Sequence, residues 1–184
     1  MFIIMNFDPG KAESAIYDEA QVPSVEAFLS HFKGLVIEST DPLVITTYDD
    51  TFYLDAEWMV TTWFPNYAYG EAPWHTIALG SIADAKGELA FSTDKAGAKG
   101  IEWMSFIAGP SLPILKADLD TLVMTPTLPY EATLGQFADA DEVAARWTNL
   151  KKWYGLQGHF WVGSGPFWLD KAFPIEKTLT LRRF

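Results

Sequence analysis

The parts of this 184-residue chain that could do chemistry are three histidines, one glycine-flanked serine, a scatter of carboxylates and a run of aromatic side chains. The histidines are His31, His75 and His159, and none stands in an HxH, HExxH or HxxxH arrangement. Zinc needs three or four ligands converging on one point, so this spacing argues against a metal site. The chain has no cysteine, which removes thiolate ligands, disulfides and a cysteine nucleophile. His31 borders the apolar stripe of an expected helix and reads as structural. His75 and His159 each adjoin an aromatic residue and are candidates to line a pocket.

Ser164 sits in Gly163-Ser164-Gly165-Pro166-Phe167. A nucleophile elbow spaces its glycines two residues from the serine and runs straight into a helix. Here the glycines flank the serine directly and Pro166 leads into a strand pattern, so serine catalysis is not expected. Gly163 and Gly165 read instead as a tight turn or a close backbone approach. Acidic groups occur as Asp49 with Asp50, Asp55 with Glu57, and Asp139 with Asp141 and Glu142. Such groups could hold calcium or form a glycosidase pair. The regular calcium-loop spacing is missing, however. Asp139–Glu142 reads more simply as a helix start, where acids complement the dipole, and the others as solvated surface. Neither GxGxxG nor a phosphate-cradling P-loop is present, so no nucleotide cofactor is expected. No catalytic residue is assigned.

Aromatic residues make up 15% of the chain and include eight Trp, which makes residues 58–74 the best pocket candidate on chemistry alone. Trp63, Tyr67, Tyr69 and Trp74 stand there among Pro and Gly, a composition common in binding loops. An aromatic core beneath a long loop would have the same composition.

The elements that must position these groups follow from periodicity and turn chemistry. Phe2–Phe7 is a short apolar element stopped by Asp8-Pro9-Gly10, and its uncapped start reads as continuing something upstream. Val25, Phe28, Leu29 and Phe32 recur at helical spacing, with Ser24 as cap and Gly34 as terminator. Leu35–Glu38 and Leu43–Tyr48 flank an Asp-Pro turn and predict a hairpin. Glu71-Ala72-Pro73-Trp74-His75 is expected to open a short helix running to about Ala85, with Pro73 near its first turn. A second, capped by Ser92, is expected to run to about Ile107, and a third over Leu112–Val123. The clearest, over Asp141–Leu156, presents Val143, Ala144, Trp147, Leu150 and Tyr154 on one face and ends at Gly155 and Gly158. Phe167–Ala172 and Thr178–Arg183 predict a final hairpin. Mixed helices and β-hairpins without regular alternation indicate an α+β fold.

A net charge of −11 disfavours nucleic acid and anionic membrane surfaces as partners. No apolar run approaches the ~20 residues of a membrane helix. The first ten residues carry no basic region or cleavage site, so they do not read as a signal peptide, which taken alone argues for the cytoplasm.

The tail carries a resemblance. His159-Phe160-Trp161-Val162-Gly163-Ser164-Gly165-Pro166-Phe167-Trp168-Leu169, followed by Thr178-Leu179-Thr180-Leu181-Arg182-Arg183-Phe184, resembles a signature of extracellular solute-binding protein family 5. These are the peptide, oligopeptide and related binding proteins of ABC importers. Their members show Gly, then Ser or Thr, then Gly-Pro and an aromatic residue entering a strand, and a second strand closing on basic residues. Val36, Asp41 and Val44-Ile45-Thr46 are loosely similar to the family's upstream hairpin. Tyr17-Asp18-Glu19 and Ala108-Gly109-Pro110-Ser111 are similar to a bacterial subgroup.

The resemblance implies part of a two-lobed, periplasmic-binding-protein-like (type II) fold. Residues 1–158 would be an inserted α+β subdomain of the first lobe, and residues 159–184 the start of the main lobe sheet, a truncated β-hairpin. It further implies an internal fragment of a longer, extracytoplasmic protein, exported or lipid-anchored through a segment outside this chain. That protein would bind a peptide or other small solute, deliver it to an ABC permease in the membrane, use no cofactor or metal, and not be an enzyme. The family's motif assigns no ligand contact here, so Trp63, Tyr67, Tyr69 and Trp74 remain candidates from their chemistry alone. One alternative is a carbohydrate-binding module or carbohydrate-active protein that stacks sugars on its aromatic residues. Another is a self-contained interaction domain, which requires a closed sheet with no unsatisfied edge at Thr178–Arg183.

Overall fold

The computed structural model describes residues 7–55, 57, 73–163 and 165–184. The chain forms an α+β fold that divides into two compact units, residues 2–67 and 68–184.

In the first unit, a 3-10 turn at Asp8–Gly10 is tied by the Ser14 hydroxyl, which donates to Asp8 Oδ2 at 2.9 Å. A second turn, Glu19–Gln21, begins where Asp18 accepts from the Ala20 N–H at 3.1 Å. It leads into helix α1, Val22–His31. The helix starts two residues before the expected cap, because Pro23 fits the first turn, where no N–H is required. Ser24 therefore lies inside the helix and caps nothing. Val25 is the buried residue of α1, and it packs where Gly10 approaches. A Cβ on Gly10 would fall 2.6 Å from Val25 Cβ, so only glycine fits.

Gly34 does not end α1. The chain turns extended at Phe32 and runs as β1, Phe32–Thr40, antiparallel to β2, Leu43–Asp49. The hairpin is longer than its Val/Ile/Thr runs suggest, because Phe32 still pairs with Asp49. Phe28 and Phe32 stack at 4.9 Å across the helix–strand junction.

The second unit is built around α2, Trp74–Ala85, in which His75–Ser81, Ala83 and Asp84 are all buried. A helix enclosed on nearly every side must lie at the centre of its unit. It packs against α4, Ser111–Met124, and α6, Ala140–Gln157. Ile77 and Leu79 of α2, Leu115, Leu119 and Leu122 of α4, and Val143, Trp147 and Leu150 of α6 form the core. Each such side chain stabilises by roughly 1.5–3 kcal/mol on burial.

The helix expected to reach Ile107 is only seven residues, α3, Thr93–Lys99. Ser92 caps it by accepting from the Lys95 N–H at 3.0 Å. Gly100 ends it in the left-handed region at φ 65°, which a glycine adopts without strain. The next residues are taken by a pairing the pattern did not reveal. Strand β3, Leu89–Ala90, runs parallel to β4, Glu102–Trp103, with α3 as the crossover.

A short turn of helix, α5, Glu131–Leu134, precedes α6. Asp139 caps α6 by accepting from the Glu142 N–H at 2.8 Å. Gly155 lies within α6, and it is Gly158, at φ 75°, that ends the helix. The tail then forms the expected hairpin, β5, Phe167–Phe173, antiparallel to β6, Thr178–Arg183. Among the described residues β6 pairs only with β5, and all six of its residues are exposed. The closed sheet that a self-contained interaction domain would require at Thr178–Arg183 is therefore not what is found.

Candidate functional site

The first turn of α2 gathers the chemically unusual groups. Its N-cap is Pro73, whose side chain offers no acceptor and so caps none of the helix N–H groups. Trp74, His75 and Thr76 follow as its first three residues. Helical side chains lean toward the N-terminus, so these three surround the positive end of the helix dipole. From the neighbouring helix, α6 brings Trp147, and the three rings meet edge to face. Trp74 lies 5.5 Å from Trp147 and 5.6 Å from His75, while His75 lies 6.4 Å from Trp147. Edge-to-face geometry sets the positive rim of one ring against the negative face of another. Trp147 is anchored in place, its indole N–H donating to the Thr127 carbonyl at 3.1 Å.

His75 is 6% exposed and Thr76 2% exposed, yet among the described residues His75 Nδ1 and the Thr76 hydroxyl have no hydrogen-bond partner. Burial, reinforced by the Arg146 guanidinium on α6, pushes the His75 pKa down to about 4. The imidazole is therefore neutral at pH 7, with one nitrogen able to donate. Arg146 itself is exposed and paired with Glu142 at 3.1 Å. The site thus offers a neutral imidazole, a hydroxyl, a helix N-terminus and a nearby cation, walled by two indoles. Those are hydrogen-bond donors and apolar faces, suited to holding a ligand group.

Of the pocket residues read from the sequence, Trp74 is placed in this cluster. Trp63, Tyr67 and Tyr69 lie outside the described residues. His75 does line the cluster. His159 does not, because both its nitrogens are used: Nε2 donates to the Leu169 carbonyl at 2.8 Å, and Nδ1 accepts from the Trp161 N–H at 3.1 Å. It sits edge-on to Trp153, which in turn meets Trp168. His31 is exposed and pairs with Asp50 at 3.0 Å, as does Lys33 at 2.9 Å. The Lys33 ammonium and then His31 hold the Asp50 carboxyl below its usual range.

The other carboxylates are used locally. Asp49 accepts from the Thr51 N–H at 2.7 Å, and Asp55 from the Glu57 N–H at 3.1 Å. No group of three or more His, Asp or Glu gathers among the described residues to hold a metal.

In the tail motif, Ser164 lies outside the described residues. The close-approach reading of its glycines is corrected: a Cβ on Gly163 would meet only the Phe167 carbonyl at 3.8 Å, and one on Gly165 nothing within 4 Å. Pro166 has a clear role, its carbonyl accepting from the Phe184 N–H at 3.1 Å and so extending the ladder of β5, which begins at Phe167.

Sequence reasoning missed one buried ion pair and one half-exposed pair with a buried carboxylate. Lys95 on α3 pairs with Asp84 on α2, both almost fully enclosed. Asp84 also accepts from the Phe91 N–H at 3.1 Å. Asp118 on α4 pairs with Lys86, just beyond α2. Asp84 and Lys95 are far apart in sequence and fit no short motif. The one available signal was the apolar character of α2, which makes any charge at its end need a partner.

No family model matches the chain, and no curated protein matches its sequence.

Proposed function

We propose that this chain contributes to the solute-binding component of an ABC importer, capturing a peptide or similar small solute outside the cytoplasm. The observation that carries the reading is the tail. Phe167 opens β5, β6 closes on Arg182 and Arg183, and among the described residues the outer edge of β6 is open to a further strand. An open edge in a two-stranded hairpin suits membership of a larger lobe sheet, since two strands alone are marginal in water.

In this reading no bond of the ligand is broken. Two lobes of a type II binding-protein fold close on the solute, and the closed form is recognised by a membrane permease. Residues 1–158 would be the inserted subdomain, and residues 159–184 the first strands of the main lobe sheet. Affinity would come from hydrogen bonds and aromatic walls, with Trp74 as a wall and Trp63, Tyr67 and Tyr69 as further candidates. Among the described residues no helix is long and apolar enough to cross a membrane.

The test is native mass spectrometry of the purified chain with a randomised pentapeptide pool and, separately, a set of oligosaccharides. Retention of intact peptides is expected. Peptide cleavage, or retention of sugars and not peptides, would overturn the reading.

A further inference from the structure

We infer that the N-terminal turn of α2 is a carboxylate-binding site, with the His75 imidazole and the Thr76 hydroxyl as donors and Trp74 and Trp147 as its walls. The helix start supplies the positive end of a dipole and backbone N–H groups that Pro73 leaves without a side-chain cap. Independently of the dipole, two consecutive polar residues, each more than nine-tenths buried, have no partner at Nδ1 and Oγ1 among the described residues. A buried unpartnered polar group costs about 1–3 kcal/mol. Two such groups in one helical turn are a standing deficit that a ligand group with two oxygens would relieve.

The charge balance selects the class of anion. The only cation known to act on His75 is Arg146, and its guanidinium is already shared with Glu142. A singly charged carboxylate needs no more than one neutral imidazole, one hydroxyl and a helix end. A doubly charged phosphate would need cations that this turn lacks. The indole walls suit an apolar body attached to the carboxylate rather than a highly hydrated one.

The experiment titrates the whole chain at pH 7 with sodium acetate and, separately, with sodium phosphate, following the backbone amide resonances of residues 74–77 and the His75 ring nitrogens. Acetate is expected to give saturable shifts confined to this turn, with phosphate at least about tenfold weaker. Thr76→Val keeps the shape and removes the hydroxyl, so it should weaken acetate about tenfold, as loss of one such hydrogen bond does. Thr76→Ser restores the hydroxyl and should restore binding, which separates a lost donor from a damaged fold. Shifts that do not saturate, tighter binding of phosphate, or an unchanged Thr76→Val would overturn the site.

A second arm rests on the solute-binding reading and compares a tripeptide with its C-terminal amide. Equal binding of acid and amide sinks the carboxylate site and leaves peptide capture standing. Acetate bound at this turn while no peptide binds does the reverse.

Discussion

Lys95 and Asp84 are each almost sealed from water, so their pairing decides whether α3 can sit against the end of α2. Removing Lys95 takes from the buried Asp84 the cation that it is paired with. Lys95→Met is therefore expected to lower the unfolding free energy by about 3–5 kcal/mol, read from the denaturant midpoint. Replacing both, as Asp84→Leu with Lys95→Met, should recover much of that loss. A deficit of about 1–3 kcal/mol should remain, because the Phe91 N–H then loses its acceptor.

His75 gives the opposite kind of test. Folded, it takes up its proton only near pH 4. Unfolded, it does so near pH 6.5. Between those values the unfolded chain binds more protons, so stability falls as the pH is lowered through that window. The fall should total roughly 3 kcal/mol. Chemical denaturation at pH 7 and pH 4 reads it, and His75→Leu should remove this part of the slope. A slope unchanged in the variant would mean that His75 is not the group responsible.

At the scale of elements, two glycines in helices should respond with opposite sign. A Cβ on Gly80 of α2 would fall 2.7 Å from both Phe91 and Phe106 ring carbons and 2.8 Å from the Met104 sulfur. Overpacking of about 1–3 kcal/mol then outweighs the roughly 1 kcal/mol that alanine gains in a helix. Gly80→Ala should destabilise by about 1 kcal/mol. A Cβ on Gly155 of α6 would meet nothing within 4 Å, so Gly155→Ala should stabilise by about 0.5–1 kcal/mol. Thermal melts of the two variants check both signs.

How much of this was readable beforehand depends on whether the cause was local. Helix α6 was legible because Val143, Trp147 and Leu150 recur at helical spacing behind an acidic cap, Asp139 or Asp141, both properties of consecutive residues. The two hairpins were legible from their Val, Ile, Thr and Leu runs. The β3–β4 pairing was not, because strands of two residues carry no period, and their parallel partnership is set by how α3 packs. The start of α1 was misjudged because Pro23 and Ser24 are each compatible with a position outside or inside the first turn. At the candidate site, the aromatic density around Trp74 marked the helix start where His75 and Trp147 gather. The approach of Trp147 and Arg146 did not show, because it depends on α6 crossing α2. The enclosure of Asp84 and Lys95 likewise comes from tertiary packing.

At the scale of the whole molecule, each unit carries one two-stranded hairpin with apolar side chains in water. In the first unit these are Val36, Leu43, Val44, Ile45 and Tyr48, and in the second Phe167, Ile175, Leu179 and Leu181 among others. Because Leu179 and Leu181 are 61% and 55% exposed, Leu179→Lys with Leu181→Lys should change stability by less than about 1 kcal/mol. The same double variant should reduce light scattering of concentrated samples, because charge on an edge strand blocks sheet extension. Unchanged scattering would mean that β6 is not the contact surface.

The open edge of β6 has a consequence for how copies of the chain behave toward one another. A strand with free N–H and C=O groups is a template that any extended segment can join, its own twin included. What holds twins apart in neutral solution is their shared net charge of −11. That repulsion is a barrier whose height follows the solvent, shrinking as carboxylates protonate below about pH 5 and as salt shortens the screening length. Acidified or salted solutions should therefore turn cloudy with ordered, strand-rich assemblies before the helices of the second unit melt. In that sense the acidic surface works as colloidal insulation for an edge that the described residues leave bare.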